Sequence, residues 1–311
     1  MKLAYLIQSH KNVDQVERLV HALTALDPGS RIYLSHDHRD GPGVERLACD
    51  RVRVTRDAGG RGGFHPVARW LRLVNLVAED GGADYVVQIS GQDYPVRPLA
   101  QMHTELQDSG DGFLEFFPAL TRVGNHWPVR EGRGRYLYRW RELFPIPDAA
   151  RLPLAPLHAL NFLQPWVRFN VAYGGLKVGR WRGSLPEGLC VFGGSMFPSL
   201  SWRSVTHVAH VARTRPDIMA WARDSLVIDE AFFQSLLLSE PGFTFEPSAR
   251  RHFQFEGSRF GHPAVLTRHD LPQILAGDAY FARKFDTTVD ATVLDLIDES
   301  LNIRVPRGQH A

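Results

Sequence analysis

The 311-residue sequence predicts an α/β fold with a mainly parallel sheet, and three observations carry that prediction. Short apolar runs at 3–7, 31–37, 52–54 and 84–90 read as strands. The stretches 13–26 and 67–77 carry apolar residues at helical spacing. Strands and helices alternate from the N-terminus, which is the pattern of right-handed βαβ units.

Each element has its own signal. Residues 3–7 (Leu-Ala-Tyr-Leu-Ile) form an unbroken apolar run suited to a strand buried on both faces. In 13–26, Val16, Leu19, Val20 and Leu23 share one helix face, and the strand at 31–37 ends in an acid, Asp37. Val67, Leu71, Val74 and Val77 mark the second helix, and Tyr85-Val86-Val87-Gln88-Ile89 the fourth strand. Open α/β sheets bind ligands beyond the carboxyl ends of their strands, which singles out Ser9-His10, Asp37 and Gly91-Gln92-Asp93. From 118 to 190 regularity falls away: seven prolines punctuate 118–165, among tryptophans, tyrosines and arginines. We expect loops and broken helices there, inserted over one face of the sheet. Such aromatic rings and guanidinium groups serve a sugar-binding surface or an irregular packing layer equally well.

Patterning returns at 190–195, followed by a helix at about 201–211, the acid pair Asp229-Glu230 with a helix running to Leu238, a basic and aromatic stretch at 250–257, and a last helix at 289–301. The whole reads as one domain with a nucleotide-binding half (1–117), the irregular insertion (118–190) and an acceptor and catalytic half (191–311). There is no internal repeat.

Composition narrows the function classes. Lys and Arg total 36 against 34 Asp and Glu, so the net charge of +2 gives no reason to expect nucleic acid as a partner. Two cysteines, Cys49 and Cys190, do not make a disulfide framework, and the N-terminal apolar run is too short for a signal sequence or a membrane span. A soluble, cytoplasmic protein is expected, with oligomeric state open.

Asp229 and Glu230 sit where the first turn of a helix is expected, with Asp224 or Ser225 as its cap. A helix dipole there favours the ionised carboxylate, which suits a general base as well as it suits plain helix termination. Phe281-Ala282-Arg283-Lys284-Phe285-Asp286 holds two cations between two phenylalanines. They are suited to a diphosphate, although for Arg283 taken alone a surface ion pair with Asp286 or Asp290 is the expected fate. Gly59-Gly60-Arg61-Gly62-Gly63-Phe64-His65 can present backbone N–H groups to a phosphate but lacks the spacing of a P-loop or a dinucleotide fingerprint. Asp-x-Asp, His-Glu-x-x-His, Cys-x-x-Cys and Gly-x-Ser-x-Gly are absent, and His36-Asp37-His38 reads as a strand-end turn.

In order along the chain, several segments resemble one glycosyltransferase family (family 14), the core 2/I-branching β-1,6-N-acetylglucosaminyltransferases and protein O-xylosyltransferases. They are Ala4-Tyr5-Leu6-Ile7-Gln8-Ser9-His10, Tyr33-Leu34-Ser35-His36-Asp37, Gly63-Phe64-His65-Pro66-Val67, Ser90-Gly91-Gln92-Asp93-Tyr94-Pro95-Val96, Gly194-Ser195, Asp229-Glu230 and Phe281 to Asp286. The resemblance implies a bacterial member with a Rossmann-like GT-A fold, working by an inverting displacement and without the metal motif. It implies Glu230 as the base, with Lys284 and the weaker choice Arg259 on the diphosphate. Ser9, His10, Asp37, Arg61 and Asp93 would contact the donor, and Ser195, Glu131 and Arg135 the acceptor. The donor would be a nucleoside diphosphate sugar, uridine-linked and GlcNAc- or xylose-like. The acceptor would be a glycan, glycoside, peptide or small metabolite, with no cofactor and no metal. Ile228 replaces the proline usual before Asp-Glu. The alternatives are a non-catalytic carbohydrate-binding protein on the same fold and a metal-dependent GT-A enzyme.

Overall fold

The computed structural model describes residues 1–37, 39, 43–60, 62–255 and 263–304, the side chains of Asp148 and Ala150 excepted. The N-terminal half alternates as expected: β1 (Leu3–Ser9), α1 (Val13–Leu26), β2 (Arg31–Asp37), β3 (Val52–Asp57), α2 (His65–Glu79), β4 (Tyr85–Ser90), β5 (Asp93–Pro95) and α3 (Leu99–Asp108). Asn12, in the left-handed region, caps α1 by accepting the Gln15 N–H at 3.2 Å. Pro66 lies in the first turn of α2, where its missing N–H costs nothing.

The rest of the chain supplies β6 (Gly112–Phe113), β7 (Phe117–Pro118), α4 (Val129–Tyr136), β8 (Tyr138–Pro145), α5 (Asp148–Leu154), β9 (Val167–Asn170) and β10 (Gly175–Trp181). After these come β11 (Phe192–Gly193), β12 (Ser199–Ser201), α6 (Trp202–Thr214), α7 (Pro216–Arg223), α8 (Phe232–Leu238), β13 (Arg251–Phe253), α9 (Leu271–Ala276), β14 (Phe281–Arg283) and α10 (Thr292–Ser300).

The central sheet has the order β3-β2-β1-β4-β12-β6. Its first four strands are mutually parallel, with Ile7 opposite Leu34 on one side and Ile89 on the other, and β12 runs antiparallel between β4 and β6. The architecture is therefore α/β and Rossmann-like, as expected. Alternation along the strands divides the core in two. Leu3, Tyr5, Ile7, Ile32, Leu34, Val87 and Ile89 pack with α1 and α10, whereas Ala4, Leu6, Tyr33 and Val86 pack with α2, α6, α7 and α8.

The 118–190 region is more regular than expected. It holds a three-stranded antiparallel sheet, β8-β10-β9, besides helices and a 3₁₀ turn at Ala155–Phe162. On β8, Tyr138 and Trp140 point inward and Arg139 and Arg141 outward, a period-2 pattern that the surrounding prolines and arginines disguise. This sheet packs through Tyr138 and Trp140 on Leu226 and Val227, not flat on the central sheet.

Because β1, β2 and β4 are parallel, their carboxyl ends lie along one edge. Arg69 of α2 fastens two of them: it is buried, its Nε donates to Ser35 Oγ at 2.7 Å, and its Nη2 donates to the carbonyls of Ser9, at 2.9 Å, and Ser35. Burial pushes the Arg69 guanidinium below its usual pKa, with Asp57 and Asp37 opposing that shift. We predict that Arg69→Met, which leaves three buried acceptors without their donor, lowers the unfolding free energy by about 2–4 kcal/mol in urea titration; a loss under about 1 kcal/mol would show that the edge holds without it.

Candidate active site

The acid pair does not open a helix. Val227 takes a left-handed conformation (φ 49°), Ile228–Glu230 make a 3₁₀ turn, and α8 begins only at Phe232. Neither expected cap serves: Ser225 Oγ donates back to the Trp221 carbonyl at 2.7 Å, and Asp224 ends α7. What fixes the turn is packing, since Ile228, Ala231, Phe232 and Phe233 are all buried.

The two acids have different surroundings. Asp229 is buried and, among the described residues, its Oδ1 has no hydrogen-bond partner; it faces a tight space bordered by Gln8, Gln88 and Met196. Burial first, and the Glu230 charge second, raise its pKa to about 7. Glu230 has a side chain 34% exposed, and its Oε2 accepts from Arg135 Nη1 at 2.7 Å. Arg135 also holds Glu131, and its guanidinium lies 4.6 Å from the centre of the Trp127 ring. Burial raises the Glu230 pKa, against the pull of Arg135. The expectation that a helix dipole would favour the ionised pair is thus overturned: with no helix beginning at the pair, desolvation dominates.

Gly194 connects the neighbouring segment, its N–H donating to the Glu230 carbonyl at 2.9 Å. Ser195 is held alongside, its carbonyl accepting from Gln234 Nε2 at 2.8 Å. Glu131 and Arg135 therefore do gather at Glu230, with Arg135 bound to the candidate base itself, while Ser195 reaches the acid turn only through the backbone of its neighbour Gly194.

The donor-side residues follow the strand ends. Ser9 is buried and shares a 2.8 Å hydrogen bond with His36 Nδ1, while His10 is exposed. Asp37 pairs with Arg39 at 2.6 Å, and the Arg39 hydrogen bonds hold its carboxyl well below the usual carboxylate range. Gly59 lies against it so closely that a Cβ there would be 1.6 Å from Asp37 Oδ2. Three residues on, the Gly62 carbonyl accepts the Val227 N–H at 3.2 Å. The glycine-rich loop thus runs from Asp37 to the acid turn, a role that its sequence alone did not indicate. Arg61 and Arg259 lie outside the described residues.

Asp93 is fully buried, and β14 lies antiparallel to β5 so that Arg283 is opposite it; Arg283 Nε is 3.2 Å from Asp93 Oδ1. The surface pair expected for Arg283 does not form. Asp286 is bound instead by Lys11 at 2.6 Å, which with Thr288 lowers its pKa to about 2, and Asp290 accepts the Arg268 N–H. Arg283 lies 4.2 Å from the Phe197 ring centre; burial lowers its pKa, and the charges of Asp93, Glu230 and Asp229 act against that. Lys284 is half-buried between Arg283 and the fully buried Phe285, its carbonyl accepting the Leu266 N–H at 2.8 Å. Arg69, the inward Arg283 and Glu115, whose carboxyl burial and the Glu230 charge push up, were not singled out from the sequence as functional or were read otherwise. Only strand alternation at Phe281–Arg283 hints at any of them. Among the described residues, no three His, Cys, Asp or Glu side chains are grouped to hold a metal ion.

The raised pKa of Asp229 has a thermodynamic sign. A carboxyl that binds its proton more tightly folded than unfolded contributes stability below the unfolded pKa of about 3.9, and that contribution is lost as pH rises through about 7. Asp229→Asn keeps the shape without the titration, so it should raise the melting temperature at pH 8 by roughly 2–4 °C and change it little at pH 4. Equal shifts at both values would count against a buried, titrating Asp229.

No family model matches the chain. Solved structures similar to it include an active-site mutant of LgtC, at 11% identity and TM-score 0.38 over 99% of this chain and 98% of that one. Another is a mannose-1-phosphate geranyltransferase from Thermus thermophilus, at 14% identity and TM-score 0.34 over 76% and 72%. Superpositions this loose say nothing about chemistry. Among curated proteins the chain is 25% identical over 334 aligned residues to a β-1,3-galactosyl-O-glycosyl-glycoprotein β-1,6-N-acetylglucosaminyltransferase 4 of Mus musculus, covering 96% of this chain and 65% of that protein. The chain thus spans about two thirds of that relative's length.

Proposed function

We propose that this protein is a GT-A-type glycosyltransferase that moves a sugar from a nucleoside diphosphate to an acceptor hydroxyl with inversion, without a metal ion. The observation that carries the reading is the division of labour in the acid pair: Asp229 is shut away, while Glu230 is partly exposed and clamped by Arg135. The likeness to an N-acetylglucosaminyltransferase over nearly the whole chain supports it. So do the strand-end residues Ser9 and Asp37, and Asp93 three residues beyond the end of β4, along the sheet edge where α/β folds bind nucleotides.

In this mechanism the acceptor oxygen attacks C1 of the donor sugar opposite the nucleotide, and Glu230 takes the hydroxyl proton as that bond forms. The leaving diphosphate is met by Lys284, whose ammonium offsets the charge that a divalent cation would neutralise. Asp37, Ser9 and His10 face the nucleoside, and the glycine-rich loop offers N–H groups alongside. Arg135 fixes the rotamer of Glu230 without abolishing its basicity, because burial outweighs the guanidinium in setting its pKa. The donor is a uridine diphosphate sugar of GlcNAc or xylose type, and Ser195 and Glu131 face the acceptor.

Glu230→Gln should lower turnover by roughly two to four orders of magnitude while leaving protection against heat by uridine diphosphate intact. Near-normal turnover in that variant removes Glu230 from the role. In the unmodified enzyme, turnover should fall as pH drops through the raised Glu230 pKa, so the acid limb of the rate profile lies above the ordinary glutamate value of about 4.3. Activity should also persist in EDTA and drop by at least about a hundredfold in Lys284→Ala; inactivation by chelator alone would point to a metal-dependent enzyme.

A further inference from the structure

Apart from Arg135 and Glu131, the 130–182 region carries charge and apolar surface that glycosyl transfer does not use. It has ten Lys and Arg against three Asp and Glu, a formal +7 in a chain whose total is +2. Two of the acids are engaged, Glu131 with Arg135 and Glu142 with Lys177, and the formal charge of the region stays strongly positive. Arg139 on β8 lies directly opposite Arg180 on β10, and both are exposed. Like charges paired across strands repel, and an external anion relieves that repulsion.

The same region exposes large apolar side chains: Leu152 is 80% exposed, Leu163 78%, Phe162 71% and Trp166 66%. They belong to α5, the 3₁₀ turn and the segment entering β9, which together form an irregular amphipathic stretch. The cationic and apolar groups join into one surface. Arg130 stands 5.3 Å from the Phe162 ring centre, and the Trp181 N–H, next to Arg180, donates to the Trp166 carbonyl at 2.8 Å. Beside them opens a cleft of about 470 Å³ whose lining includes Arg133, Arg168, Tyr138 and Trp181. Arg168 Nε is buried there with no hydrogen-bond partner among the described residues.

We propose that this face docks on the surface of an anionic lipid bilayer. Phe162, Leu163, Leu152 and Trp166 enter the headgroup layer, Arg139, Arg141 and Arg180 meet the surface charge, and the Arg133–Arg168 cleft receives a lipid phosphate. Aromatic and aliphatic side chains interleaved with arginine match that interface, where apolar insertion and attraction to anionic headgroups add. A water-facing role leaves the exposed Arg139, Arg141 and Arg180 and the four exposed apolar side chains unaccounted for, since single exposed apolar residues are ordinary but a cluster of this kind is not. The docking is independent of which sugar is moved.

The test is co-sedimentation of the full chain with vesicles of phosphatidylcholine alone or with about one third phosphatidylglycerol. At low salt at least about tenfold more protein should pellet with the anionic vesicles, falling as sodium chloride is raised to about 0.5 M. Phe162→Glu with Leu163→Glu, and separately Arg139→Glu with Arg180→Glu, should each cut that binding about tenfold or more with unchanged thermal melting. Absence of vesicle binding, equal binding to neutral vesicles, or wild-type binding by the Phe162/Leu163 variant overturns the proposal. A dimer in gel filtration that this variant splits, without vesicle binding, gives the face to a second copy of the chain instead.

Discussion

Parallel pairing of β1, β2 and β4 is the constraint on which the rest depends. It sends three strand ends, and the polar residues that follow them, to one edge of a sheet whose two faces are already covered by helices. Peptide groups and side chains crowded there are cut off from much of the water that would otherwise solvate them. The fold answers with long cationic side chains that reach in from outside the sheet: Arg69 from α2 and Arg283 from β14. Arg69 donates to the Ser9 and Ser35 carbonyls, and Arg283 sets its charge against Asp93, whose other oxygen accepts the Ser90 N–H.

That solution determines the electrostatics of the site. Arg283 lies within the field of Asp93, Asp229 and Glu230 together, and Arg135 sits directly on Glu230. Two guanidinium groups therefore stand among a larger set of carboxyls in a partly desolvated place. The carboxyl most enclosed, Asp229, is pushed furthest toward its neutral form, and its charged neighbour keeps contact with solvent. The two carboxyls titrate as a linked pair, and the charge on Glu230 is part of what holds the proton on Asp229.

How much of this was legible in the sequence depended on the range of the interaction. The helix at 13–26 and the strand at 31–37 were read with their observed bounds because hydrophobic periodicity is local. The strands of 138–181 were missed because arginine and tryptophan mask alternation, and because pairing β10 with both β8 and β9 depends on contacts far apart in the chain. Glu230, Arg135 and Glu131 were named and are joined through the Arg135 guanidinium, with Ser195 following the Gly194 that bonds the acid turn; that Arg135 binds Glu230 was not foreseen, since 95 residues separate them. The inward course of Arg283 was hidden for a physical reason: an arginine near two acids in sequence looks like a surface ion pair, and only the register of β14 on β5 turns it toward Asp93.

Gly194 shows how finely the assembly is spaced. A Cβ there would stand 1.9 Å from the Glu115 carbonyl and 2.8 Å from Gln234 Nε2, while its own N–H reaches the carbonyl of Glu230. The backbone at this point acts as a gauge block: its thickness, one peptide with no side chain, fixes the height of the acid turn above the segment that carries Glu115. A single methyl group would work as a wedge: it would stand far inside van der Waals contact with the Glu115 carbonyl, so either the acid turn or the Glu115 segment would have to give way.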